Sequence, residues 1–149
     1  MVLLEMPHDR IPVGAINAVM HLRANGITPM IAHPERNKDV MRDWRRVKPF
    51  VDQGCLLQIT AASVCGDFGP AAQQTALEFL HREWVTVMAS DAHNLQHRPS
   101  AMRNGRLEVE RQFGVAAGEV LTEINPRLLL RKRHHSRSQQ EPAVASSAP

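Results

Sequence analysis

The segment ASDAHN, residues 89–94, places Asp91 and His93 two positions apart, directly after the apolar run WVTVM. On an extended chain that spacing puts both side chains on one face. A carboxylate and an imidazole on one face can share a divalent ion. The same pair also suits a solvated strand end, or turn and capping chemistry ahead of a helix. Comparable polar residues interrupt other apolar runs: Glu5 in LLEMP, His33 at the end of ITPMIAH, and Gln58 within CLLQITAAS. In parallel α/β sheets the carboxyl ends of the strands face one side, where ligands bind. Glu5, His33, Asp91 and His93 are expected to converge there. Two carboxylates and two imidazoles form a mixed oxygen and nitrogen set suited to Mn²⁺, Zn²⁺ or Fe²⁺, with the oxygens favouring manganese. Such ions lower the pKa of bound water and neutralise developing charge on a phosphate or carbonyl.

Two arginines follow these positions closely. Arg36 is three residues after His33, and Arg98 is five after His93. A guanidinium fork matches phosphate oxygens bidentately, so metal donors beside arginines point to phosphate ester hydrolysis. Taken singly, each residue also has a plainer role. Glu5 fits a half-exposed strand position, His33 before Pro34 a loop histidine, and Arg36 and Arg98 the surface. His8, His21, His81, His97, His134 and His135 read as surface or tail residues. Ser63 and Ser90 lack a G-x-S-x-G setting, and no Gly-rich phosphate loop is present, which argues against a serine nucleophile elbow and a P-loop.

The elements that must position these residues alternate. VLLEM (2–6), residues 27–33, residues 55–63 and residues 84–90 read as strands. Between them, residues 13–24 have helical spacing and end at Asn25-Gly26, and residues 38–53 read as one charged amphipathic helix closed by Gly54. Pro70 opens a helix to about Arg82. A long helix is expected from Pro99 to about Gln112, a short one near 116–122, and a basic one from Asn125-Pro126. Strand–helix alternation predicts an α/β fold with parallel strands.

The 149 residues suit one domain. The net charge of +3 is local: Arg131, Lys132, Arg133 and Arg137 against Glu141 account for all of it. Residues 131–149 read as a disordered basic tail and 1–130 as the folded domain. Such a tail could touch nucleic acid or anionic lipid, but no aromatic is interleaved for base stacking, so no nucleic-acid partner is expected. No apolar run reaches membrane-span length and no signal peptide is evident. Cys55 and Cys65 have no zinc or redox spacing, read as small buried hydrophobes, and fit a reduced cytoplasmic compartment.

The ordered segments LLEMPH, GITPMIAHPERN, GCLLQITAAS and VMASDAHN with a downstream RP closely resemble the polymerase and histidinol phosphatase (PHP) superfamily. Within it they resemble the manganese-dependent bacterial tyrosine-protein phosphatases of capsule and exopolysaccharide loci, the CpsB/CapC type, over roughly residues 1–130. The resemblance implies a distorted (β/α) barrel with a multinuclear metal site. Glu5, His33, Asp91 and His93 match its metal ligands, and Arg36 and Arg98 its phosphate-binding or catalytic arginines. It also implies a phosphotyrosine-bearing bacterial kinase tail as substrate. Members begin with a strand ending in H-x-H, absent here, so the chain is expected to be the C-terminal part of such a barrel, N-terminally truncated. It is expected to be poorly stable or inactive as a fragment, with open strand edges that favour association. Two alternatives stand beside this reading: a superfamily phosphoesterase acting on a small monoester such as histidinol phosphate, and a catalytically dead binding remnant.

Overall fold

A computed structural model describes residues 1–93 and 101–137, with side chains through Arg131. Four strands, β1 (Val2–Glu5), β2 (Pro29–Ala32), β3 (Leu56–Thr60) and β4 (Val85–Ala89), form one sheet in the order β1-β2-β3-β4. Every pairing is parallel, so each connection must cross from one end of the sheet to the other. Helices α1 (Ala15–Ala24), α4 (Ala61–Cys65) and α5 (Pro70–His81) lie in those crossovers. The sheet centre is apolar: Ile31, Leu57 and Ile59 are wholly buried and pack with Val19, Val40, Val64 and Phe79. Near-continuous burial of β2 and β3 is the usual consequence of covering both faces of a parallel sheet.

Three expectations need correction. Residues 38–53 are not one helix. They form α2 (Lys38–Arg42), a 3₁₀ turn (Trp44–Val47) and α3 (Lys48–Asp52). Asp43 is extended, and its carboxylate accepts a hydrogen bond from the Arg45 N–H at 3.1 Å, so it ends one helix and caps the next turn. Pro49 then sits in the first turn of α3, where its missing N–H costs nothing. The strand expected to reach residue 63 stops at Thr60, whose hydroxyl accepts from Ser63 N–H and starts α4.

The third correction concerns the C-terminal helices. Beyond α6 (Met102–Phe113), α7 (Val115–Glu119) runs through a π turn (Val120–Ile124) into α8 (Asn125–Arg137) without a break. In the π turn the Asn125 N–H reaches the Val120 carbonyl, five residues back, and Pro126 follows directly. Asn125 donates its side-chain amide to the Thr86 carbonyl of edge strand β4 at 2.8 Å. The tail boundary expected at 131 therefore falls inside α8; residues 138–149 lie outside the described residues. No helix among the described residues is long and apolar enough to cross a membrane.

Candidate functional site

The pairing register puts all four strand ends at one end of the sheet, with β3 and β4 running two residues beyond β1 and β2. Glu5 lies opposite Ala32, Ala32 opposite Gln58, and Thr60 opposite Ala89. Each following residue thus emerges on one rim. His33 leaves β2 with φ 32° and Asp91 follows β4 with φ 47°, both in the left-handed region that side chains other than glycine rarely adopt. Such conformations persist where the surroundings hold them, and they cluster at functional sites. The His33 N–H donates to the Gln58 carbonyl at 2.7 Å, which fixes the turn to the neighbouring strand.

Four of the six residues singled out from sequence meet here. His33 Nε2 lies 3.4 Å from Glu5 Oε1 and 4.0 Å from Asp91 Oδ2. Arg36 Nη1 donates to Asp91 Oδ2 at 2.5 Å. Burial, and then the Arg36 guanidinium, lower the His33 pKa and favour the neutral imidazole. His93 is exposed, and its ring contact is Nδ1 with the Asp91 carbonyl at 2.8 Å. Arg98 lies outside the described residues.

The donor chemistry suits a divalent ion in part. With metal–ligand bonds of about 2.0–2.2 Å, neighbouring ligand atoms stand roughly 3–3.5 Å apart. The 3.4 Å separation of His33 Nε2 from Glu5 Oε1 has that spacing, and a neutral imidazole is the ligating form. Asp91 is already held by Arg36. Among the described residues, no group of three or more His, Cys, Asp or Glu side chains closes into a metal-holding set. The rim therefore sets an imidazole–carboxylate pair at ligand-like spacing beside the Arg36–Asp91 ion pair.

Sequence reasoning missed the residues that hold this rim in place. Glu35, between His33 and Arg36, is completely buried. Its Oε1 lies 3.0 Å from Thr60 N, 3.0 Å from Thr60 Oγ1 and 2.7 Å from Ser63 Oγ, while Oε2 has no hydrogen-bond partner among the described residues. Burial raises its pKa, against those hydrogen bonds. Glu35 thus ties the His33–Arg36 turn to the junction of β3 and α4. Asn37 works on the other side. Its Oδ1 caps α2 by accepting from Asp39 and Val40 N–H. Its Nδ2 lies 2.7 Å from the Pro7 carbonyl and 2.8 Å from that of Arg10, which anchors the loop after β1. His8, read as a surface residue, is exposed but stacks on His33 with centroids 5.6 Å apart and planes at 22°. A sequence signal existed for Asn37 alone, an Asn ahead of a helix; a charged residue such as Glu35 gives no sign of complete burial.

A model of the family described as capsular polysaccharide synthesis, CpsB/CapC, matches residues 1–131. The tyrosine-protein phosphatase YwqE of Bacillus subtilis is 33% identical over 141 residues, 95% of this chain and 55% of that protein. The putative tyrosine-protein phosphatase CapC of Staphylococcus aureus is 35% identical over 68% of this chain and 40% of its own length. The tyrosine-protein phosphatase CpsB of Streptococcus pneumoniae is 34% identical over 70% and 45% respectively. The chain thus spans about half the length of these relatives. A crystal structure from work on YwqE and CpsB, described as unique metal-dependent tyrosine phosphatases, superposes with a TM-score of 0.80 at 32% identity. That match covers 85% of this chain and 51% of the other.

Proposed function

The chain belongs to the CpsB/CapC family of capsular polysaccharide synthesis, and from that premise we propose that its strand-end rim serves metal-dependent hydrolysis of phosphotyrosine carried on a protein. The observation that carries the proposal is the placement of Arg36 against Asp91, beside the His33–Glu5 pair. It sets a phosphate-matching guanidinium next to donors suited to a divalent ion. In this reading Glu5, His33, Asp91 and His93 would hold the metal, manganese by the donor chemistry, and Arg36 with Arg98 would hold the phosphate oxygens. A bound divalent ion supplies charge neutralisation and an acidified water. The protein's own part is orientation. Asp91 fixes one edge of the Arg36 guanidinium, Glu35 and Asn37 hold the turn that carries it, and burial favours the neutral form of His33.

The four parallel strands are read as one part of a PHP-type distorted (β/α) barrel. The substrate is read as a phosphotyrosine tail of a bacterial kinase in the cytoplasm, in keeping with the names of the relatives as tyrosine-protein phosphatases. The test is hydrolysis of p-nitrophenyl phosphate by the purified 149-residue chain with and without Mn²⁺, beside the His33→Ala variant. Metal-dependent turnover that disappears in the variant is expected. Absence of turnover from chain shown to be folded sinks the proposal for this polypeptide. Comparing a phosphotyrosyl peptide with histidinol phosphate separates a protein substrate from a small monoester.

A further inference from the structure

A small cavity opens beside the Arg36 guanidinium. It has a volume of about 190 Å³ and is lined by His8, Arg36, Met41, Phe68 and Ala72. Ligand pockets for drug-sized molecules run from roughly 300 to 1,000 Å³, so this space suits one side chain rather than a larger ligand. A cavity of about 480 Å³ elsewhere, lined by Leu80, Val85, Phe113 and Leu121, is bigger but touches none of the rim residues.

The walls are aromatic and soft, and they join the rim directly. The Arg36 guanidinium carbon lies 4.2 Å from the Phe68 ring centroid, within the range of a cation–π contact. His8 forms a second ring wall and stacks on His33. Met41 adds a polarisable thioether of the kind that packs against aromatic edges. These walls are built rather than incidental. The His8 carbonyl accepts from Lys38 N–H at 2.8 Å, and Asn37 holds Pro7 and Arg10 on either side of it. A phosphate held by Arg36 would therefore sit beside a cavity walled by Phe68, His8 and Met41.

We propose that this cavity seats the aromatic ring of an aryl phosphate, with Phe68 and His8 as the residues that select aryl over alkyl phosphate esters at Arg36. The inference rests on the phosphatase reading above and deepens it, because it assigns the selectivity to residues outside the metal and phosphate set. A flat ring gains stacking on Phe68 and His8 that an alkyl ester cannot gain. An alkyl ester would leave the cavity wet.

The experiment needs no turnover. Phenyl phosphate, methyl phosphate and inorganic phosphate are titrated into the full chain and into Phe68→Ala, Phe68→Leu and His8→Ala, with affinities read from amide chemical shifts. The same spectra report whether each variant is folded. Phenyl phosphate is expected to bind about three- to tenfold more tightly than methyl phosphate. That ratio should fall to within about twofold in folded Phe68→Ala or Phe68→Leu, and decrease in His8→Ala. The ratio is the readout because losing the Phe68 ring also removes its contact with Arg36. Binding of all three phosphates with no aryl preference overturns this proposal and leaves the phosphatase reading standing. A preference that survives in both Phe68 variants also overturns it. Failure of folded chain to bind any of the three overturns phosphate recognition at Arg36, and this proposal with it.

Discussion

Substituting Gly105 by alanine sets two measurable effects against each other. Gly105 lies within α6. On helix propensity alone, alanine there should stabilise the chain by about 1 kcal/mol. The packing predicts the opposite sign. A Cβ on Gly105 would meet Ala61 Cβ at 2.6 Å, Ala61 Cα at 2.8 Å and the Ala61 carbonyl oxygen at 3.0 Å. Carbon atoms rest comfortably at about 3.5–4.0 Å, so α6 would have to move off α4 by roughly 1 Å. The obstacle is mostly backbone and β-carbon, with no flexible side chain to swing aside. Ala61, Ala62 and Val64 of α4 are all buried, so a retreat opens a gap along that helix. Overpacking of this kind costs about 1–3 kcal/mol. Against the propensity gain, the net expectation is a loss of about 1 kcal/mol. Urea unfolding followed by circular dichroism, fitted for midpoint and slope, measures it. A Gly105→Ala chain more stable than the parent would refute the argument that the close approach of α6 to α4 dictates glycine. The double change Ala61→Gly with Gly105→Ala removes the 2.6 Å contact but leaves the other two, and should recover only part of the loss.

Other expectations follow from the residues that frame the rim. Asn37→Ala removes a helix cap and two bonds to loop carbonyls and should cost about 2 kcal/mol in chemical denaturation. Burial holds the folded-state pKa of Glu35 above its ordinary value, so the protonated form is favoured by folding. Its contribution is full below the usual carboxylate range and is lost as pH rises through the raised pKa. The thermal stability of the parent should therefore fall with rising pH over that window relative to Glu35→Gln, which keeps an acceptor for Thr60 N–H; parallel profiles would contradict this. Burial pushes the Cys55 thiol up to about 11, so its reaction with iodoacetamide at pH 8 should be slow in folded chain and accelerate on adding denaturant, as read by mass spectrometry.

The divide between sequence and structure runs between what repeats along the chain and what meets across it. Alternation of apolar runs with helical segments was enough to predict parallel strands, because burial on both faces leaves a near-continuous apolar signature in β2 and β3. Polar residues at the ends of such runs marked Glu5, His33 and Asp91, and the parallel sheet brings them to one end, where they meet. Local caps decided details that periodicity alone could not resolve. Asp43 interrupts a pattern that reads as one helix, and Thr60 turns a predicted strand end into α4. The contacts that tune the rim were beyond local reading altogether. Glu35 meets Thr60 and Ser63 across 25 and 28 residues of chain, and Arg36 meets Asp91 across 55. A sequence shows that an acid or an arginine is present, but its burial and its partner depend on which distant segments the packing brings together. The sequence by itself therefore determined the fold class and the kinds of polar residue at the rim. Only the tertiary structure decided that Glu35 is sealed beneath it, that Arg36 grips Asp91, and that Phe68 and His8 line a cavity at its edge.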